Sequence, residues 1–113
     1  MAKDDYHVIV YKVLAYLYVQ LKHGEFVEEK CLKHDGILFN IKYRYWTFIM
    51  RNMLEQGLIT GIHITKPWGK DTIVEGLEQC EITPKGIEYL CDNSFMEKAK
   101  QFMKEIKEIT PFI

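Results

Sequence analysis

The sequence predicts an α+β fold in which several helices surround one small antiparallel β-hairpin. Apolar residues recur at helical spacing through the first half of the chain, β-prone residues follow Gly57, and helical spacing returns after Pro84. With 113 residues, of which 48% are hydrophobic, the chain is long enough to bury one continuous core without metal or disulfide bridges. We therefore expect a single domain over residues 1–113.

The first helix is predicted over residues 6–21. Two aspartates precede it, where the positive end of the helix dipole favours carboxylates. A basic last turn and then Gly24, which readily adopts the left-handed conformation, indicate that the helix ends near His23. The apolar residues that share its inward face are Tyr6, Ile9, Val10, Val13, Leu14, Leu17 and Leu21.

Two further helices are predicted before the hairpin. Residues 27–34 are charged and only partly periodic, which predicts a short second helix before the turn at Asp35 and Gly36. The third helix is expected to begin after Asn40, because asparagine caps helix N-termini well, and to end at Gly57. The run between these two residues contains no glycine or proline.

The middle of the chain predicts the hairpin over about residues 58–83. Residues 58–65 are β-prone, residues 66–71 have the composition of a turn, and residues 77–83 form the returning strand. Gly76 is expected to form a bulge beside that strand. We therefore expect a hairpin with a long and partly irregular tip.

Two helices are predicted after the hairpin, over about residues 84–92 and 95–109. Thr83, followed by proline, suits the start of the former. Ser94 and Glu97 have the spacing of a capping box at the start of the latter. This C-terminal helix is amphipathic, and its apolar stripe consists of Phe95, Ala99, Phe102, Met103, Ile106 and Ile109.

Charge, cysteine content and hydropathy exclude several classes of function. The 15 Lys and Arg against 16 Asp and Glu give a net charge of -1, so any nucleic-acid site must be a local patch. The three cysteines are widely spaced, and no two of them form a C-x-x-C pair. This spacing argues against a disulfide framework or a zinc knuckle. Neither a signal peptide nor a membrane-spanning segment is recognisable, so we expect a cytoplasmic protein.

No known catalytic or nucleotide-binding motif occurs in the sequence, so we expect neither an enzyme nor a cofactor. His63 and Cys80 are expected to face each other across the hairpin. Two ligands fall short of the four that a structural zinc ion requires, so no metal site is predicted. The adjacent His34 and Asp35 are interpreted as a surface feature near the end of the second helix.

Two motifs refine the fold prediction: LEQGLI at residues 54–59 and ITPKGIEYL at residues 82–90. They resemble winged-helix regulators of the MarR and PadR kind, in which the recognition helix ends in the first pattern and the wing returns through the second. Nearly the whole chain is also similar to the YjcQ-like family of small winged-helix proteins from Gram-positive bacteria and their phages. The most specific part of that likeness is ITPKGIEYLCDNS with the lysine-rich helix that follows.

These resemblances imply a winged helix-turn-helix fold, with the hairpin as the wing, and a bacterial or prophage origin. They transfer no catalytic residue. They also imply a DNA-binding protein or a transcriptional regulatory accessory factor whose partner is double-stranded DNA. In that arrangement the third helix lies in the major groove and the wing lies along the backbone.

The third helix is expected to have one core face and one exposed face, since successive residues are about 100° apart. The core face contains Tyr43, Trp46, Ile49, Met50, Met53 and Leu54. The exposed face contains Arg44, Thr47, Arg51 and Glu55. The residues predicted to contact DNA from this helix and the wing are Lys42, Arg44, Thr47, Arg51, Lys66, Trp68 and Lys70.

A protein-binding module on the same scaffold is the alternative. Tyr45 and Phe48 flank the polar face of the third helix, and aromatic rings beside arginine are typical of protein interfaces unless another helix covers them. The distal residues of the C-terminal stripe either extend the contact with a protein partner or a second copy, or complete the core of the monomer: Phe102, Met103, Ile106 and Ile109. A continuous positive strip over helix and wing favours DNA, whereas glutamates that interrupt it favour protein: Glu75, Glu78 and Glu81.

Overall fold

The computed structural model of the protein describes residues 2–106, with side chains up to Lys104. In this range the chain forms an α+β fold, as predicted, with five α-helices and four short strands. The helices are α1 Tyr6–His23, α2 Glu29–Leu32, α3 Tyr43–Glu55, α4 Pro84–Asp92 and α5 Ser94–Ile106. The strands are β1 Ile59–Thr60, β2 His63–Thr65, β3 Ile73–Glu75 and β4 Glu81–Ile82, with a 3₁₀ turn, Leu77–Gln79, before β4.

Helix α1 is the centre of the molecule and contacts α3, α4, α5 and β4. Every residue from 8 to 17 is buried, so the helix is covered on all sides there and not only on the predicted apolar face. Lys12 lies within this stretch, and its Nζ donates a hydrogen bond to the Leu38 carbonyl oxygen at 3.1 Å. The helix ends as predicted, with Gly24 in the left-handed conformation at φ 67°. Among the described residues, no helix is both long and apolar enough to cross a membrane.

The segment before α3 differs from the prediction. Helix α2 is a single turn, shorter than residues 27–34, and α3 begins at Tyr43, so Asn40 does not cap it. The chain between the two helices turns at residues 33–38, where the Gly36 amide donates to the Lys33 carbonyl oxygen, and residues 39–42 are irregular. Three apolar residues of this segment are buried in the core: Leu38, Phe39 and Ile41. Trp46 of α3 ties the two helices together, because its indole Nε1 donates to the Leu32 carbonyl oxygen at 2.8 Å.

The hairpin consists of two separately paired pieces. At its base β1 pairs with β4, and Ile59 lies opposite Ile82. Farther out β2 pairs with β3, and His63 lies opposite Glu75. Of the returning strand predicted over residues 77–83, only β4 pairs with the first strand, and the outer piece pairs with residues 73–75 instead.

The two pieces are separated by glycines with positive φ. Gly61 has φ 97° and Gly76 has φ 80°, conformations that glycine adopts without strain. Gly76 begins the 3₁₀ turn rather than forming a bulge within a paired strand. Because this turn intervenes, the expected pairing of His63 with Cys80 was wrong, and Cys80 is instead buried at the base of the hairpin.

The start of α4 confirms the predicted cap. The Thr83 hydroxyl oxygen accepts a hydrogen bond from the Gly86 amide at 3.0 Å, and the same hydroxyl donates to the Gly57 carbonyl oxygen. This contact joins the beginning of α4 to the end of α3. Gly86 is required there because a Cβ would collide with the Leu58 carbonyl oxygen.

Helix α5 begins one residue earlier than predicted, and its buried stripe differs. The Asn93 side-chain oxygen accepts from the Phe95 amide at 2.9 Å, so asparagine rather than Ser94 supplies the side-chain cap. Phe95 is 48% exposed and stacks on the ring of His7 with 4.3 Å between ring centroids. The buried positions are Met96, Ala99 and Met103. Of the predicted stripe, the Ile106 side chain and Ile109 lie outside the described residues.

Candidate nucleic-acid interface

A groove of about 790 Å³ lies between α3 and the tip of the hairpin; we call it the α3–hairpin groove. Its helix wall consists of Tyr43, Arg44, Thr47, Phe48 and Arg51. Its hairpin wall consists of Lys66, Gly69, Lys70, Asp71 and Thr72. The groove therefore joins the two segments in which sequence analysis predicted DNA contacts.

One hydrogen bond fixes the hairpin tip against the helix. The Tyr43 hydroxyl, at the first turn of α3, donates to the Thr72 carbonyl oxygen at 2.6 Å. The Tyr43 ring is itself packed against Trp46, with 5.6 Å between centroids. At the tip the Lys70 amide donates to the Pro67 carbonyl oxygen at 3.0 Å and closes a turn. The hydrogen bond from Tyr43 to Thr72 thus sets the distance between the helix wall and the hairpin wall of the groove.

The groove concentrates positive charge in a chain that carries a net charge of -1. Four cations line it against the single carboxylate of Asp71: Arg44, Arg51, Lys66 and Lys70. Asp71 Oδ1 lies 4.0 Å from Arg44 Nη2, and the two side chains are 72% and 91% exposed. An ion pair this exposed is weak, so Arg44 is available to a phosphate or a base edge.

The predicted DNA-contacting residues divide into three groups. The four cations of the groove are exposed and converge on it. Thr47 lies at the groove as well but is buried, and its hydroxyl donates to the Arg44 carbonyl oxygen at 3.0 Å, so it was wrongly expected on the exposed face. Lys42 and Trp68 are exposed but do not line the groove.

The core face of α3 is largely as predicted. Trp46, Ile49, Met50 and Met53 are buried. The half-buried Leu54 and Tyr43 complete it, and the Tyr43 hydroxyl reaches the hairpin tip. The exposed face retains Arg44, Arg51 and Glu55.

The two aromatic residues that flank this face have different surroundings. Tyr45 is half-buried, and its hydroxyl donates to the Asp4 carbonyl oxygen at 2.8 Å, so the N-terminal segment covers it rather than α2 or α5. Burial, with Asp4 and Asp5 nearby, raises the pKa of Tyr45. Phe48 is 47% exposed and lies edge-on to Tyr6. The Arg51 guanidinium carbon lies 5.9 Å from the Phe48 ring centroid.

The C-terminal residues predicted for a protein interface are mostly turned inward where they are described. Met103 is 1% exposed and belongs to the core, so its expected place on a contact surface was wrong. Phe102 is half-buried and packs against the core. The Ile106 side chain and Ile109 lie outside the described residues.

The glutamates that would interrupt a positive strip lie elsewhere. Glu78 and Glu81 line a separate cleft at the base of the hairpin, beside the end of α1. Glu75 is paired opposite His63 and does not line the groove. The positive charge along the α3–hairpin groove is therefore interrupted by Asp71 alone among its lining residues.

Four residues of the groove were not predicted from the sequence to lie at a binding site. Tyr43 was assigned wholly to the core, Gly69 and Asp71 were treated as parts of a turn, and Thr72 was given no role. The contact between Tyr43 and Thr72 joins residues 29 positions apart. No local pattern signals such a contact, although a tyrosine at the edge of an apolar face often places its hydroxyl at a polar partner.

The cysteines lie apart from the groove. Cys31 and Cys80 are buried thiols, and Cys91 is an exposed one. Burial, reinforced by the nearby Glu81 carboxylate, raises the pKa of Cys80 to about 12. Within residues 2–106, no three His, Cys, Asp or Glu side chains are grouped closely enough to hold a metal ion.

The family model described as YjcQ protein matches residues 11–109, a range that contains both walls of the groove. The chain belongs to the YjcQ family. Neither the curated proteins nor the solved structures contain a match to it. Family membership therefore covers the segments that form the groove.

Proposed function

We propose that this YjcQ-family protein is a winged-helix DNA-binding protein that acts as a regulatory accessory factor, by binding and not by catalysis. In this proposal α3 is the recognition helix and the hairpin is the wing. The observation that carries the proposal is the convergence of four cations from these two elements on one groove. Cations on a helix and on an adjacent hairpin suit the phosphates that border a DNA groove.

The order of the elements supports the winged-helix interpretation. A hairpin follows α3 directly, and its first strand returns to the core with Leu58 and Ile59 buried. The connection between α2 and α3, residues 33–42, is longer than the three to four residues of a compact helix-turn-helix. The hydrogen bond from Trp46 to Leu32 nevertheless keeps the two helices together.

The groove suggests how each wall would contact a duplex. Arg44 and Arg51 are seven residues apart, which is about two helical turns or about 10 Å along α3, so both point from nearly the same face. With α3 in the major groove, these guanidinium groups are suited to base edges or phosphates, and Lys66 and Lys70 to the phosphate backbone. The hydrogen bond between Tyr43 and Thr72 would keep the wing at the correct distance from the helix.

The test is a salt series of fluorescence anisotropy titrations with a labelled mixed-sequence duplex. If the four cations each neutralise one phosphate, the logarithm of the affinity falls against the logarithm of salt concentration with a slope between about -3 and -4. The double variant Arg44→Ala with Arg51→Ala should weaken binding at least tenfold and reduce the magnitude of the slope by about 2.

A matched control removes the same amount of charge elsewhere. Lys22 and Lys104 are exposed and do not line the groove, so Lys22→Ala with Lys104→Ala should leave both affinity and slope nearly unchanged. Circular dichroism establishes that both double variants are folded. Equal weakening in the two double variants would reject the groove as the DNA site, and no binding at low salt would reject DNA binding altogether.

A protein-binding module is the second candidate, favoured by the exposure of Phe48 beside Arg51. This pair has the composition of an interface hot spot. Phe48→Ala should leave the salt slope of duplex binding unchanged if DNA is the partner, since it removes no charge that neutralises a phosphate. This candidate would be favoured instead by two results together. The wild type would bind no duplex but would form a complex with another protein that survives nuclease treatment, and Phe48→Ala would strongly weaken that complex.

A further inference from the structure

A second surface lies between the end of α1 and the base of the hairpin, and we call it the acidic cleft. It encloses about 140 Å³, with Leu17, Cys80 and Ile82 among the residues that line it. Three carboxylates line it as well: Glu25, Glu78 and Glu81. None of its lining residues is a lysine, an arginine or a histidine, so its charge is opposite to that of the α3–hairpin groove.

Apolar side chains at the mouth of the acidic cleft are exposed on a fixed segment. Phe26 is 91% exposed and Leu21 is 53% exposed. The Glu25 amide donates to the Gln20 carbonyl oxygen at 2.9 Å, and the Gln20 side-chain amide donates to the Phe26 carbonyl oxygen at 2.6 Å. The turn that presents Phe26 is thus held by two hydrogen bonds, both with Gln20. Exposed apolar residues surrounded by charge commonly mark a contact surface.

The tip of the hairpin carries the complementary features. Trp68 is fully exposed, and it does not line the α3–hairpin groove. Lys66 and Lys70 lie two residues away on either side of it and are also exposed. The hairpin tip therefore presents an aromatic side chain flanked by two cations, and the acidic cleft presents apolar residues flanked by three carboxylates.

We propose that the Trp68 tip of one copy docks in the acidic cleft of a second copy. The indole would cover Leu21 and Phe26, and the two lysines would lie near the cleft carboxylates. A cavity of roughly 150 Å³ holds a benzene-sized group, so the cleft is large enough for part of the indole. The tip and the cleft share no residue, so a contact between them is head-to-tail. One such contact leaves the cleft of the first copy and the tip of the second copy free.

This inference goes beyond DNA binding and is tested without DNA. In sedimentation velocity at low salt, the mean sedimentation coefficient of the wild type should rise as its concentration rises from about 10 µM to about 1 mM, because a small interface gives weak association. Added salt should reduce the rise, since the contact is partly between exposed charges. Trp68→Ala and the double variant Glu78→Lys with Glu81→Lys should each remain monomeric.

Two controls separate the docking surfaces from general effects. Phe95→Ala removes another half-exposed aromatic side chain, and Glu88→Lys with Asp92→Lys makes the same charge change on the exposed part of α4. Both control variants should associate like the wild type. All variants should retain the wild-type circular dichroism spectrum.

A mixing experiment tests the head-to-tail geometry. Trp68→Ala retains an intact cleft, and the double glutamate variant retains an intact tip, so an equimolar mixture should form a complex of two copies and nothing larger. Association of Trp68→Ala alone at the wild-type level, or a mixture that stays monomeric, would overturn the proposal. So would a wild type that remains monomeric at about 1 mM. Because no duplex is present, these outcomes are independent of the DNA-binding test.

Discussion

The base and the outer part of the hairpin are parts of one element, yet different contacts hold them. The base, β1 with β4, contacts α1, α3 and α4, and Ile59 and Ile82 are buried there. In the outer part, β2 with β3, Ile73 is 36% exposed, and the hydrogen bond from Tyr43 to Thr72 connects the adjoining tip to α3. The base therefore belongs to the core, whereas the outer part keeps only Ile64 and Val74 half-buried and exposes its other side chains.

The largest expected effect concerns Cys80 at the base. Burial raises the pKa of Cys80 to about 12, which lowers its thiolate fraction at pH 8 about a thousandfold relative to an ordinary cysteine. We expect iodoacetamide to alkylate Cys80 at least a thousand times more slowly in the native protein than in urea, as measured by peptide mass spectrometry. The exposed Cys91 is the internal control and should react in both states. Similar native rates for the two thiols would mean that the base opens readily.

Truncation of matched isoleucines compares the two parts directly. Ile59→Ala removes a side chain that is 1% exposed and should lower the free energy of unfolding by about 2–5 kcal/mol. Ile73→Ala makes the same change in the outer part, where partial exposure limits the loss to about 1 kcal/mol or less. Urea unfolding monitored by circular dichroism measures both. Equal losses would contradict the division of the hairpin into a core part and an outer part.

The junction between the two parts depends on Gly61. Gly61→Ala combines a positive φ of 97° with a collision between the new Cβ and the Gln79 carbonyl oxygen, so we expect a loss of about 2–4 kcal/mol. Gly69 at the tip also has positive φ, but no atom lies within 4 Å of its added Cβ. Gly69→Ala should therefore lower the free energy of unfolding by only about 1 kcal/mol. Thermal and urea denaturation measure the stability of both variants. An equal loss of stability in Gly61→Ala and Gly69→Ala would contradict the special role of Gly61.

The smallest effect concerns the attachment of the tip. Tyr43→Phe removes the hydrogen bond to Thr72 and should lower the free energy of unfolding by about 0.5–1.5 kcal/mol. Amide hydrogen exchange over residues 66–72 should become faster, because the tip is then less restrained. Tyr45→Phe is the control, since it removes a similar hydrogen bond to Asp4 and should leave exchange at the tip unchanged. Unchanged exchange in Tyr43→Phe would show that other contacts position the tip.

Most helices could be predicted from the sequence because local signals define their ends. Gly24 after a basic turn and Thr83 before Pro84 have the expected conformations in the structure. The errors occur where burial overrides local preference. Asn40 is a good cap by residue type, but its neighbours Phe39 and Ile41 are buried in the core, and α3 begins only at Tyr43.

The candidate site was predicted in part. Periodicity identified Arg44 and Arg51 as outward-facing, because a strongly apolar opposite face fixes the orientation of α3. Periodicity also assigned Thr47 to the exposed face, where neighbouring side chains in fact bury it. The pairing of β2 with β3 was missed because each of these strands has only one half-buried residue, Ile64 opposite Val74, so the alternation that sets a register is short.

By itself, the sequence determined the α+β class, the membership in the YjcQ family, and the positions of most helix ends, because spacing and capping residues act over a few neighbours. Only the tertiary structure decided that cations from α3 and from the hairpin share one groove and that the carboxylates gather at another cleft. The reason is that these arrangements depend on contacts between residues far apart in the chain, such as Tyr43 and Thr72, which no local pattern specifies.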